Sequence, residues 1–330
     1  MKENEIRPAD TFQEWLRLSA CDAEKMFDHS QRVIIPCPAC GEERYEQAFS
    51  KHGFLYVECL ECQTLYLSPR PPEEEFTEFY LNSESSRYWV DIFFPSVLEA
   101  RREKIFIPRV TQIRKLCLNN GISPDTVMDI GAGHGIFLEE WGKKLPSSTL
   151  CAIEPNNSMA DICRAKGIEV LESTAENSSN VWQQKADLAT CFEVIEHAHE
   201  PLRFIRAIHN LVAPNGMALV TGLGVQGFDI QVLWERSNSI SPPHHLNFMS
   251  VRGLEILFSR AGFQKVEVTT PGKLDVDIVR NTIANDASPQ LNRFVHTMLD
   301  SGSKVGNEFQ TFLSNNKLSS HCWIAAQRIS

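Results

Sequence analysis

Three groups of residues have the types and spacing to do chemistry: a glycine turn, four patterned cysteines and a set of histidines near predicted strand ends. The turn is Val127-Met128-Asp129-Ile130-Gly131-Ala132-Gly133-His134-Gly135, an apolar run that breaks into glycines and opens a helix. Gly131 and Gly133 let backbone approach a ligand, and Gly135 lets the helix start tight against the strand. A dinucleotide fingerprint wants its last glycine at 136, where this chain has Ile136, so the turn leans toward another adenosyl cofactor. Glu154 supports that reading, because it ends the next apolar run, Thr149 to Ile153, about twenty residues after the turn. A carboxylate there accepts both hydroxyl hydrogens of a ribose diol; the bland alternative is a solvated glutamate at a strand end.

The cysteines are Cys37-Pro38-Ala39-Cys40 and Cys59-Leu60-Glu61-Cys62, two Cys-x-x-Cys knuckles separated by 18 residues. That spacing predicts a four-thiolate zinc ribbon, with Cys37, Cys40, Cys59 and Cys62 as tetrahedral ligands and Gly41 supplying a permissive backbone after the first knuckle. Such a site has no open coordination position, so its job is folding rather than catalysis. A redox dithiol and unliganded core cysteines are the competing readings. The other six cysteines sit on apolar runs and read as small core residues.

The chain has 330 residues, is 42% hydrophobic and carries a net charge of −10. That is enough to bury a large core, and the length alone suggests about two domains. No apolar stretch approaches the ~18 residues of a membrane helix, and Met1 to Asp10 is not signal-like, which predicts a cytoplasmic protein without a membrane partner. The acidity argues against a nucleic-acid partner, since Arg101, Arg102 and Lys104 form the densest basic cluster and read as a solvated helix face.

Strands and helices alternate from residue 106 onward, which implies α/β architecture with a doubly wound, mostly parallel sheet. Helices are expected at Arg109 to Leu118, Asn157 to Lys166, Pro201 to Leu211 and Val251 to Ala261. Strands are expected at Asp187 to Phe192, Met217 to Thr221, Phe263 to Thr269 and His321 to Arg328. Residues 1–32 carry an amphipathic helix over Thr11 to Phe27, 33–68 the ribbon, and 69–105 an aromatic linker with Phe76, Phe79, Tyr80, Tyr88, Trp89, Phe93 and Phe94. Residues 106–330 form the main domain, with an insertion at about 271–320 that reads as a lid, a dimer contact or decoration. Ser301-Gly302-Ser303 and Ser314-Asn315-Asn316 read as joints within it.

The strand ending at Phe192 runs into Glu193-Val194-Ile195-Glu196-His197, and Pro214-Asn215-Gly216 then turns into the next strand. In this continuous order, over residues 106 to 270 plus the last strand, the chain resembles the class I S-adenosylmethionine-dependent methyltransferases. The cysteine ribbon, the Arg70-Pro71 turn and the aromatic segment are similar to a subgroup of that family, several of whose members modify sugars or secondary metabolites. The resemblance implies an antiparallel last strand. It implies that Asp129, Gly131, Ala132, Gly133, Phe192 and Glu193 meet the cofactor's amino acid end, that Glu154 and Pro155 lie at the ribose, and that Ala175 and Glu176 lie at the adenine.

Methyl transfer needs in-line placement and, for a protonated nucleophile, a base, which typically adds ~10² to 10⁴ in rate. His197, His244 and His245 are the candidates, with Glu196 beside the first, because ligands of a doubly wound sheet lie beyond its carboxyl strand ends. The competing readings are a cap before the helix at Pro201 for Glu196-His197, and loop packing behind Pro242-Pro243 for the pair. Tyr80, Tyr88 and Trp89 either line a substrate mouth or pack in the core.

The reading is therefore a methyltransferase acting on oxygen or carbon of a small molecule, with S-adenosylmethionine and structural zinc as cofactors and a homodimer as one possible assembly. An RNA-directed methyltransferase gripping nucleic acid through its ribbon is the alternative, disfavoured by acidity and by the lack of an Asn-Pro-Pro-Tyr-type signature. A non-catalytic binding protein on the same scaffold is the third.

Overall fold

A computed structural model of the protein describes residues 1–27, 31–285 and 291–329. Its strands are β1 (Tyr45–Lys51), β2 (Phe54–Cys59), β3 (Leu65–Leu67), β4 (Thr126–Ile130), β5 (Thr149–Ile153), β6 (Glu169–Leu171), β7 (Ala186–Phe192), β8 (Val212–Leu223), β9 (Asn247–Phe248), β10 (Gln264–Thr269) and β11 (His321–Gln327). The chain divides into two units. A sheet unit comprises Glu99–Gly222, Leu254–Val268 and Trp323–Ser330, and a ribbon unit comprises Met1–Leu98, Leu223–Gly253 and Thr269–Cys322.

The sheet unit is built on seven strands in the order β10-β11-β8-β7-β4-β5-β6. Strands β8, β7, β4, β5 and β6 run parallel. The chain pairs Asn215 and Gly216 with Arg328 at one end of β8 and Gly224 with Ser320 at the other, so β11 runs antiparallel to it. This is the expected α/β architecture. Strand β4 lies between β5 and β7 and is buried from Val127 to Ile130, as the centre of a parallel sheet requires. Helix Ile107–Asn119 turns Val110, Ile113 and Cys117 into a core shared with Val127, Phe137, Trp141, Leu188 and Leu219. Each such large apolar side chain contributes about 1.5–3 kcal/mol by leaving water.

In the ribbon unit, β1, β2, β3 and β9 form an antiparallel sheet. The β1–β2 hairpin turns on His52 and Gly53, both with positive φ (46° and 76°), the combination whose twist matches flanking strands. Helix Ala9–Phe27 contains the predicted amphipathic segment and buries Phe12, Trp15 and Phe27.

The stretch read as an aromatic linker is folded into helices, Glu73–Asn82, Glu84–Tyr88 and Phe94–Arg101, with wider π-type turns over Trp89–Phe93 and Arg102–Phe106. Helical spacing is the reason: Phe76 and Phe79 fall on one face and are buried with Phe27 and Phe54, while Phe93 and Val97 are buried with Phe12 and Trp15. The expected insertion contains helices Asp275–Asn285, Arg293–Asp300 and Gly302–Asn315, which share a core with Phe228 and Leu233. Residues 286–290 of that insertion, and 28–30 of the N-terminal segment, lie outside the described residues. Ser301 and Gly302 (φ 90°) form the joint between two of these helices, and Ser314 and Asn315 are the last turn of the third.

Candidate functional site

In the sheet unit the glycine turn is left-handed at all three glycines, with φ of 70° at Gly131, 54° at Gly133 and 67° at Gly135. A Cβ on Gly131 would stand 2.9 Å from Val194 Cγ2, and one on Gly135 2.8 Å from Cys163 Sγ. Gly135 is thus where helix Ile136–Lys144 begins against helix Asn157–Ala165. The turn is stapled to β5 by Gly131 N–H donating to Ile153 O at 2.8 Å; Ala132 N is 3.4 Å from the same oxygen.

Glu154 is buried at the end of β5, and its carboxylate takes two backbone donors. Gly133 N–H donates to Oε2 at 2.7 Å and Asn156 N–H to Oε1 at 2.9 Å. Burial raises its pKa, against those two bonds, which lower it. The carboxylate oxygens keep lone pairs beyond these two, so the group is oriented and still an acceptor. Pro155, next in the chain, is exposed.

Asp129 is buried on β4 and accepts from Thr190 Oγ1 at 2.7 Å. Burial pushes its carboxyl up to about 7, against the Thr190 hydrogen bond and the nearby Arg109 charge. Arg109 is a site residue that the sequence reading did not single out. Its guanidinium is only 7% exposed, 4.3 Å over the Phe192 ring, with Nη2 3.6 Å from Glu193 Oε1. A signal existed in the chain: Arg109 lies four residues before Ile113 and eight before Cys117, on the apolar stripe of its helix, where a cation must find a counter-charge.

Glu193, just past β7, is left-handed (φ 55°), an uncommon backbone state for a glutamate. Its N–H donates to Thr221 O at 3.2 Å, and Thr221 Oγ1 donates to its Oε1 at 2.6 Å. The chain then makes a short 3-10 turn, Ile195–His197, with His197 N–H donating to Val194 O at 2.9 Å. Glu196 is buried there and His197 half-buried. Gly222 makes room for Glu196, since a Cβ at 222 would lie 2.8 Å from Glu196 Oε2. Ala175 is buried at the start of helix Ala175–Ser178, which Thr174 caps, and Glu176 is half-buried beside it.

In the ribbon unit the two neighbouring histidines have different surroundings. His244 is buried among rings, with centroids 5.0 Å from Trp15, 4.7 Å from Phe79 and 5.9 Å from Tyr80, and its Nε2 is 3.2 Å from Ser85 Oγ. Tyr80 OH donates to its carbonyl at 3.1 Å. His245 is half-buried; its Nδ1 lies 2.6 Å from Ser239 O, and Tyr56 OH donates to its carbonyl at 2.5 Å. Trp89 is half-buried against Trp15 and Phe93, with Tyr88 beside this cluster and Tyr80 partly exposed.

The same unit brings the four patterned cysteines together. Sγ–Sγ distances are 3.6 Å for Cys37–Cys62 and 3.6 Å for Cys40–Cys59, and all four sulfurs lie within 4.8 Å of one another. The edge of a tetrahedral zinc thiolate site is ~3.8 Å for Zn–S bonds of ~2.3 Å, so this donor set has the size and chemistry for zinc. The knuckles are alike in backbone. Gly41 N–H donates to Cys37 O and Gln63 N–H to Cys59 O, both at 2.9 Å, with Gly41 (φ 86°) and Gln63 (φ 61°) left-handed.

No helix among the described residues is long and apolar enough to cross a membrane. A ubiquinone biosynthesis O-methyltransferase from Pseudomonas paraeruginosa is 30% identical over 107 residues, covering 31% of this chain and 45% of that protein. One from Aliivibrio fischeri is 29% identical over 117 residues, covering 32% of this chain and 49% of that protein. The chain thus spans about half the length of the curated relatives it matches. Among solved structures, a plantazolicin methyltransferase in complex with a monoazolic desmethylPZN analog and SAH superposes with a TM-score of 0.50 at 13% identity, covering 77% of this chain and 94% of that one. That likeness is one of fold, the class I methyltransferase fold with its antiparallel β11. A family model described as a methyltransferase domain matches residues 99–268, more than half of the chain, and the protein therefore belongs to the methyltransferase domain family.

Proposed function

We propose that this protein transfers a methyl group from S-adenosylmethionine to an oxygen or carbon of a small molecule, a sugar or secondary metabolite, with a histidine as base. The observation that carries the reading is the Glu154 carboxylate, set by Gly133 and Asn156 N–H groups beside a left-handed glycine turn. Its acceptor capacity suits a ribose diol, and Gly131 and Gly133 leave the backbone open to the rest of the ligand. When bound, S-adenosylmethionine supplies a methyl group already activated on a sulfonium.

The chain's own residues then have the work of holding and orienting. Asp129, Gly131, Ala132, Gly133, Phe192 and Glu193 are assigned to the amino acid end, Glu154 and Pro155 to the ribose, and Ala175 and Glu176 to the adenine. Arg109 supplies a buried positive charge beside Asp129 and Glu193. The names of the curated relatives favour an oxygen acceptor. His197 and His245 are assigned as base candidates, with Glu196 in the same turn as His197; His244, ringed by aromatics, is assigned to packing. We assign Cys37, Cys40, Cys59 and Cys62 to one zinc ion, which stabilises a segment too small for its own core.

Calorimetry with S-adenosylmethionine tests the reading directly, and absence of binding would sink it. If binding is seen, transfer of labelled methyl to hydroxylated aromatics and sugars identifies the acceptor class. A salt-dependent RNA shift would instead favour a nucleic-acid acceptor.

A further inference from the structure

We propose that Asp229 is a positioning residue for His245: it shares a proton with Asp275 and holds Ser239, whose backbone carbonyl sets the imidazole tautomer. The proposal deepens the reading of His245 as base, and all of these residues lie in the ribbon unit. Asp229 is fully buried, Asp275 is 2% exposed and Ser239 4%.

Donors converge on Asp275. Gln310 Nε2 donates to its Oδ2 at 2.7 Å, Ser319 Oγ to the same oxygen at 2.5 Å, and Ser320 N–H to Oδ1 at 2.7 Å. Asp229 has fewer, the hydroxyls of Ser239 and Ser320: Ser239 Oγ donates to its Oδ2 at 3.1 Å, and among the described residues no donor reaches Oδ1. Asp275 lies close enough to Asp229 to raise its carboxyl. Two buried carboxylates in contact cannot both be ionised, and a bond between them needs one hydrogen. The donor count places the charge on Asp275 and the hydrogen on Asp229.

Burial, and next the charge of Asp275, push the Asp229 carboxyl up to about 8, against hydrogen bonds from Ser320 and Ser239. Asp275 is the ionisable group that faces it; Ser239 and Ser320 offer hydroxyls.

Ser239 is fixed at three points. Its Oγ lies on Asp229, its N–H donates to Ser237 Oγ at 3.2 Å, and its carbonyl receives His245 Nδ1–H at 2.6 Å. A carbonyl only accepts, so Nδ1 carries the hydrogen and Nε2 carries the lone pair, the tautomer that a base acting through Nε2 requires.

The test is the histidine tautomer itself, read from ¹⁵N shifts of the full chain labelled at histidine, with His245 assigned by loss of its signals in His245→Gln. Asp229→Ala is expected to shift the Nδ1–H to Nε2–H ratio of His245 by about threefold or more, which the loss of one supporting hydrogen bond allows. Asp229→Asn is expected to restore it, because its amide donates to Asp275 and accepts from Ser239 as the protonated acid does. A folded Asp229→Ala protein, by circular dichroism, that keeps the wild-type tautomer would overturn the proposal, as would failure of Asn to restore it. The readout needs no acceptor. Unimpaired turnover in His245→Ala would therefore remove the base reading and leave the tautomer result to judge Asp229 on its own.

Discussion

Replacing Glu154 by Gln tests the proposed cofactor site at the residue on which that proposal rests. The native carboxylate accepts from Gly133 N–H at 2.7 Å and Asn156 N–H at 2.9 Å, one on each oxygen. An amide has one oxygen, so in Glu154→Gln its NH₂ must face one of those N–H donors, and the ribose loses a charged acceptor. A hydrogen bond to a charged group is worth about 1.5–3 kcal/mol, so we expect a loss of about 3 kcal/mol, roughly a hundredfold in Kd. Calorimetry with S-adenosylhomocysteine measures this without an acceptor, and a thermal melt of the ligand-free variant separates lost binding from lost folding. A Kd within about threefold of wild type, with an unchanged melt, would refute the ribose role of Glu154. The same group predicts a pH dependence. Its raised pKa means that affinity falls as pH drops through that value, because the protonated carboxyl has given up an acceptor site, and Glu154→Gln removes this dependence.

Three further expectations follow from buried charge, thiols and imidazoles. Asp129 has its carboxyl raised from 3.8 to about 7, so the folded state holds more protons than the unfolded one between about pH 4 and 7. Stability falls across that window and levels off above it; denaturant titrations of wild type and Asp129→Asn should differ in the total change across it by on the order of 4 kcal/mol, and parallel pH curves would contradict it. Elemental analysis should find one zinc per chain, lost on chelation together with a lower melting temperature; a full complement of zinc in Cys59→Ser would tell against the four-cysteine site. His245→Ala and His197→Ala should each lower turnover, by ~10² or more for the one that is the base, with S-adenosylmethionine affinity nearly unchanged; an equal loss of cofactor binding would reassign that residue to the cofactor.

What was legible in the chain was whatever depends on near neighbours. The glycine turn, Glu154 and the strands around them follow from short apolar runs that end in glycines or an acidic residue, and β5 spans the predicted Thr149–Ile153. The cysteine knuckles were legible for the same reason, each being set by a four-residue spacing. The stretch after Pro72 misled because its many aromatics mask a helical period; only packing on Phe27 and Trp15 shows that Phe76, Phe79 and Phe93 are core. Arg109 was missed because an arginine on an apolar stripe reads as solvated until its counter-charges, Asp129 and Glu193, are brought from 20 and 84 residues away. Asp229 and Asp275 were wholly illegible: 46 residues separate them, and neither lies in a motif. Like-charged groups carry no sequence signal for meeting, since their contact needs a proton that one-dimensional charge counting never supplies. Local rules therefore locate the glycine turn and the cysteine knuckles. Buried charges such as Asp129 and Glu154 have partners that only the tertiary fold can provide, which is why their pH response is a sharp probe of that fold.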